Sequence, residues 1–173
     1  ANRVLTSPIV PFFLFLSWKS KDFMPNLFRI FFAVIFKGSL IPVAIFLAVG
    51  AGGPIGIGAC LKLLRKNSKV IICQSKDYDA FIRTLKSDEL QYNNENSNPG
   101  FSDGIAVDCP ELFAIQIARK IVDDTIVVEN EEIKLINEKT KLGGSSCISL
   151  YTALNYQLDD NYIKVVLDCE GNN

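Results

Sequence analysis

The apolar positions of this chain fall into short runs separated by polar or glycine-rich breaks. Two runs come early: Ile9 to Leu16, and Leu40 to Cys60, which holds no charge over 21 residues. Within the second, Phe46-Leu47-Ala48-Val49 ends abruptly at Gly50-Ala51-Gly52-Gly53-Pro54, and Ala59 to Lys66 reads as a helix. That pattern predicts a strand, a tight turn and a helix. From Lys69 onward strands and helices alternate. Val70 to Cys73 reads as a short buried strand, Tyr78 to Leu85 as a helix, and Asn93 to Gly100 as a loop. Pro110 suits the first turn of a helix with Leu112, Phe113, Ile117 and Ile121 on one face. Thr125 to Val128 is a strand, Glu131 to Glu138 a helix opening with acids, Ser146 to Leu154 a helix after Gly143-Gly144, and Val165 to Leu167 the closing strand. Strands alternating with helices predict an α/β protein with a parallel sheet covered on both faces.

Charge divides the chain. Residues 1–50 hold five basic residues (Arg3, Lys19, Lys21, Arg29, Lys37) against one acid, Asp22. The remainder, 18 − 5 = 13 basic and 19 − 1 = 18 acidic, is different material. Residues 1–40 therefore stand apart as an atypical apolar segment. With 173 residues and 49% hydrophobic composition, the chain can bury a sizeable core. A net charge of −1 argues against a nucleic-acid surface. The uncharged run from 40 to 60, followed by Lys62, Arg65 and Lys66, has the length of a bilayer span, but its glycines and prolines interrupt a helix where a span needs continuity. A signal peptide fits less well, since Pro11 and Trp18-Lys19 break the first run.

The absence of histidine removes Ser-His-Asp and Cys-His catalysis. A zinc site would need four of the scattered thiols of Cys60, Cys73, Cys109, Cys147 and Cys169, so no metal site is expected. An odd number of unpatterned cysteines suits a reducing, cytoplasmic setting. The paired acids Asp123-Asp124 and Asp159-Asp160 read as solvated carboxylates at element ends, and Glu131-Glu132 as complements to a helix dipole.

The remaining chemistry lies in the glycine turn. A turn without side chains, feeding a helix, aims backbone N–H groups and the positive end of a helix dipole at one spot, which suits an anion. The same turn also serves close strand–helix packing. Counting from Gly50, the sixth position is Ile55, where the dinucleotide fingerprint needs glycine. Gln74 follows the second strand where that fold places a ribose-binding acid, and no Gly-Lys-Ser/Thr follows the turn. A small phosphate ester held mainly by backbone remains.

Four segments in order then carry a resemblance: Gly50-Ala-Gly-Gly-Pro54, Ser102-Asp-Gly-Ile-Ala-Val107, Ile121-Val-Asp-Asp-Thr-Ile-Val-Val128 with Glu131-Glu132-Ile133, and Val165-Val-Leu-Asp-Cys-Glu-Gly-Asn172. Together they resemble the fold-type II pyridoxal-phosphate enzymes, in particular the threonine synthase and threonine/serine dehydratase group. Asn26-Leu27-Phe28-Arg29-Ile30 is similar to an Asn-Pro-Tyr-Arg segment of threonine synthases. The resemblance implies a three-layer αβα fold with a mostly parallel sheet, like the tryptophan synthase β chain, of which residues 41–173 would be the large-domain half. It implies pyridoxal 5'-phosphate as cofactor, with its phosphate held by the backbone of Gly50, Ala51, Gly52 and Gly53, and Cys169 facing the pyridine nitrogen. The reaction implied is elimination or replacement at the β or γ carbon of a hydroxy-amino acid. A homodimer is implied for the complete enzyme.

The departures are as informative. The family carries its cofactor on a lysine in a Ser-x-Lys-Asp-like motif far upstream of the glycine loop, whereas Lys21-Asp22 lies only 29 residues before Gly50. The sequence therefore reads as the C-terminal portion of such an enzyme, with no turnover expected of the chain alone. Pro54 has no N–H to donate. Gln74-Ser75 stand where some dehydratases have Glu-Pro leading into a metal site. Two other readings stay open: a noncatalytic α/β remnant, and a membrane-anchored protein spanning the bilayer at 40–60.

Overall fold

The computed structural model describes residues 13–17, 42–94, 100–159 and 161–168. Five strands form one sheet: β1 (Phe13–Ser17), β2 (Val43–Ala48), β3 (Lys69–Ser75), β4 (Asp124–Val128) and β5 (Ile163–Asp168), in the spatial order β1-β5-β2-β3-β4. Every pairing is parallel, with Ala44 opposite both Lys69 and Lys164, and Leu14 opposite Val165. Among the described residues five α-helices accompany it: α1 (Gly52–Leu64), α2 (Ala80–Lys86), α3 (Leu112–Ile121), α4 (Asn130–Thr140) and α5 (Gly144–Asn155). Part of the N-terminal apolar segment, β1, thus joins the sheet as an edge strand.

The central strands are buried on both faces, which is why they read as unbroken apolar runs. Their alternation divides the core. Val43, Ile45, Leu47, Val70, Ile72, Val165 and Leu167 pack toward α1, α2 and α3. Ala44, Phe46, Ile71 and Val166 pack toward α5, with the Phe46 ring edge-on to Tyr156 at 5.6 Å. The result is the three-layer αβα arrangement expected from the resemblance.

Three expectations change. The run at 40–60, read as a possible bilayer span, is divided over its described residues 42–60 into β2 and the first part of α1, with a turn at Gly50 and Ala51 between them. Among the described residues no helix is long and apolar enough to cross a membrane. The helix expected to open at Pro110 begins at Leu112, and its buried face is Ala114, Ile115 and Ala118 with Ile117 and Ile121 alongside; Leu112 and Phe113 are exposed. The alanines decide this, since small side chains let α3 approach α1 closely, and an alanine stripe is easily overlooked beside Leu and Phe. Finally, Asp123 and Asp124 are not free carboxylates. Asp123 takes an ion pair from Lys62 Nζ at 2.7 Å and the Val70 N–H at 2.6 Å, while Asp124 accepts the Tyr156 hydroxyl at 2.7 Å.

Strand order reverses between β2 and β5. The crossover through α1 takes the chain from β2 to β3, and the one through α4 and α5 returns it to the far side of β2. In open α/β sheets, the crevice beyond the carboxyl ends of the strands at such a switch point is where ligands bind. The glycine turn lies there.

Candidate anion site at the carboxyl edge of the sheet

Val49 continues the β2 ladder, its N–H donating to the Cys73 carbonyl at 3.1 Å, and the chain then turns through Gly50 and Ala51 into α1. Ala51 caps that helix in an extended conformation, with no side-chain hydrogen bond to the first N–H groups and no acid in the first turn. The first N–H groups of a helix have no partner within it and carry its positive dipole end. Pro54 contributes none, so Gly52 and Gly53 supply the donors of the first turn.

The glycines of this turn do different things. A Cβ on Gly50 would lie 2.8 Å from both the Cα and the carbonyl oxygen of Ile105, so only glycine lets the turn rest on that backbone. A Cβ on Gly58 would come 3.0 Å from Val70 Cγ1, which makes it a packing glycine between α1 and β3. Gly50 and Gly58 therefore satisfy the packing explanation of the glycines. Gly53 and Gly56, where a Cβ would meet nothing within 4 Å, are not explained by packing. The first turn itself carries no acid, but a carboxylate stands beside it, since Glu111 Oε2 would lie 3.5 Å from a Cβ on Gly52.

The segment behind Gly50 is anchored in turn. Gly100–Ile105 forms a short 3₁₀ stretch, and Asn93, 6% exposed, holds the chain that follows it. The Asn93 N–H donates to Asp108 O at 2.8 Å and its Nδ2 to Val107 O at 2.6 Å, while its Oδ1 accepts the Ala80 N–H at 2.9 Å. On the other side, the start of α5 reaches the same edge. Ser149 Oγ accepts the Ala48 N–H at 3.0 Å, and Ser146 Oγ donates to Asp168 Oδ1 at 2.7 Å at the end of β5. No motif announces Ser149 or Asn93; their partners are brought together only by the fold.

The structure places Gly50, Ala51, Gly52 and Gly53 together at this edge. Cys169 follows β5 directly but lies outside the described residues, as do Lys21-Asp22 and Asn26 to Ile30. Of the described lysines, Lys62 pairs with Asp123 at the opposite edge, Lys164 donates to the Ala153 and Tyr156 carbonyls there, and Lys76 pairs with Glu129 at 2.6 Å. Cys73 is fully buried, and burial pushes its thiol up to about 12 despite hydrogen bonds from Thr152 and Ser149. Among the described residues, no group of His, Cys, Asp or Glu is arranged to hold a metal ion.

No protein-family model matches the chain. Over 132 residues it is 29% identical to an L-threonine ammonia-lyase from Thermotoga maritima, covering 72% of this chain and 32% of that protein. A serine racemase from Dictyostelium discoideum superposes with a TM-score of 0.62 at 27% identity, over 80% of this chain and 46% of that one. The processed form of threonine deaminase isoform 2 from Solanum lycopersicum superposes with a TM-score of 0.66 at 22% identity, over 82% of this chain and 41% of that one, a likeness of fold. The chain spans about a third of the curated relative and less than half of each solved structure.

Proposed function

We propose, from the premise that this chain has the fold of the fold-type II pyridoxal-phosphate enzymes and resembles a threonine ammonia-lyase in sequence, that it forms the phosphate-binding portion of a lyase acting on hydroxy-amino acids. The observation that carries this reading is the start of α1 at the carboxyl edge of the sheet, without a side-chain cap and without an acid in its own first turn. When bound, pyridoxal phosphate supplies an electron sink for negative charge at the substrate α-carbon.

The roles of this chain's own residues follow from their positions. Gly52 and Gly53 donate backbone N–H groups to the phosphate, assisted by the helix dipole. Gly50 and Ala51 shape the approach, and Asn93 holds the segment on which Gly50 rests. Cys169, one residue beyond β5, is assigned to the ring nitrogen on the strength of the resemblance. Threonine and serine are the substrates favoured by the likeness to a threonine ammonia-lyase and a serine racemase, and the lysine that holds the cofactor is not assigned to this chain.

The test is a ligand-dependent melt of the purified chain. Pyridoxal phosphate at one hundred times its Kd should stabilise the fold by about 2.7 kcal/mol. For a chain of this size that is a rise of roughly 5–10 °C. Pyridoxal without its phosphate should give little rise, and inorganic phosphate should compete. No shift at millimolar pyridoxal phosphate would overturn the reading and favour a noncatalytic α/β remnant. The chain by itself should release no ammonia from threonine or serine; release would overturn that part alone.

A further inference from the structure

Gln74, the next-to-last residue of β3, is 2% exposed and aligns with Val70 and Ile72 on the face covered by α1, α2 and α3. Its Nε2 donates to the Val49 carbonyl at 2.8 Å, and its Oε1 accepts the Ile82 N–H at 2.9 Å. The partners dictate the orientation of the amide, since a carbonyl can meet only the NH₂ end and an N–H only the oxygen. Val49 is the last residue of the β2 ladder and Gly50 the first of the turn.

We propose that Gln74 is a positioning residue for the anion cradle, holding the peptide between Val49 and Gly50 in the one orientation that keeps a carbonyl away from the anion. In a trans peptide the C=O and N–H point to opposite sides, and no peptide here is cis. Tying the Val49 carbonyl to Gln74 therefore turns the Gly50 N–H the other way. A glycine offers little resistance to rotation of its adjoining peptide. A flip would replace an N–H by a carbonyl dipole beside the incoming charge. The second hydrogen bond keys this arrangement to the first turn of α2, so that Gln74 is itself fixed by a neighbouring element. Ile105 completes the clamp from the other side of Gly50.

The inference rests on the reading of the turn as a phosphate cradle, and the experiment separates the two. Inorganic phosphate and pyridoxal phosphate are titrated calorimetrically into the full chain, wild type and variants, well below each melting temperature. Gln74→Met removes both hydrogen bonds at similar volume. Gln74→Glu keeps an acceptor for Ile82 and loses the donor to Val49. Both should bind each ligand at least about tenfold more weakly, while Asp123→Ala, at the opposite edge, lowers the melting temperature and leaves both Kd values unchanged. In the wild type, phosphate should also move the Gly50 amide resonance in a ¹⁵N spectrum, a readout that needs no variant to fold. Wild-type Kd values in the Gln74 variants, or a stationary Gly50 amide on phosphate binding, overturn the role of Gln74 alone. A wild-type chain that binds neither ligand overturns the cradle and this role with it.

Discussion

The two edges of the sheet are built differently. At the amino edge every conspicuous charge is engaged: Lys62 and the Val70 N–H converge on Asp123, Tyr156 donates to Asp124, and Lys164 closes the end of α5 through the Ala153 and Tyr156 carbonyls. At the carboxyl edge α1 begins without a side-chain cap, and α5 opens on Gly143-Gly144, likewise uncapped. The hydrogen bonds near the glycine turn hold its frame, through Gln74, Ser149 and Asn93, and leave the first N–H groups of α1 without a side-chain partner. Both edges pair charged groups, the carboxyl edge through Lys76 with Glu129 and Ser146 with Asp168, and what sets the carboxyl edge apart is the pair of helix starts without side-chain caps.

The largest blow to this contrast should come from Gly50→Val. Its side chain would collide with the Ile105 backbone, which cannot move as a side-chain tip can. We expect a loss of about 3 kcal/mol in urea unfolding, together with loss of pyridoxal-phosphate binding. Asp123→Ala strikes the opposite edge. It strands the Val70 N–H and Lys62, at a cost of about 1–3 kcal/mol, and should leave ligand affinity unchanged. Weaker phosphate binding in that variant would break the separation of the edges.

Gly53→Ala sharpens the contrast further, because stability and binding should move in opposite directions. The added methyl meets nothing within 4 Å, so helix propensity alone should raise stability by about 0.5–1 kcal/mol. On the proposed cradle, the same methyl adds bulk at a residue whose N–H holds the phosphate and should weaken phosphate binding several-fold in a calorimetric titration. Unchanged affinity would move the anion elsewhere.

The smallest effect concerns alkaline pH. Burial, and then the hydrogen bond to Asp124, pushes the Tyr156 hydroxyl up to about 12. The folded chain thus keeps this proton above the usual tyrosine range of about 10, so its contribution is present below pH 10 and lost as pH rises toward 12. Cys73, raised to about 12 by burial, acts in the same sense from about pH 9. Tyr156→Phe should therefore make the decline of stability between pH 10 and 12 shallower without abolishing it, as read from urea unfolding followed by circular dichroism. An unchanged slope would detach Tyr156 from the alkaline behaviour.

The buried strands and the turn were legible because their signals are local. An uninterrupted apolar run such as Val43–Ala48 has few alternatives to a central strand, and Gly50 marks the turn that ends it; Gly52 and Gly53, read as part of that turn, already belong to α1, which starts ahead of the Ala59 expected from sequence. The face of α3 was misread for an equally local reason. Periodicity weights Leu112 and Phe113 above Ala114 and Ala118, yet close approach to α1 selects the smaller residues. Asp123 looked like a solvated acid because its partners, Lys62 and Val70, are more than fifty positions away.

By itself, the sequence determined the class of fold and the break between β2 and α1, since hydrophobic period and glycine spacing act over a few residues. Tertiary structure alone decided which glycine is packed and which is open, and which polar side chains serve the turn. Gln74 reaches Val49 across 25 positions, and Ser149 reaches Ala48 across 101. Such pairings depend on strand order and helix direction, which no short stretch of sequence encodes.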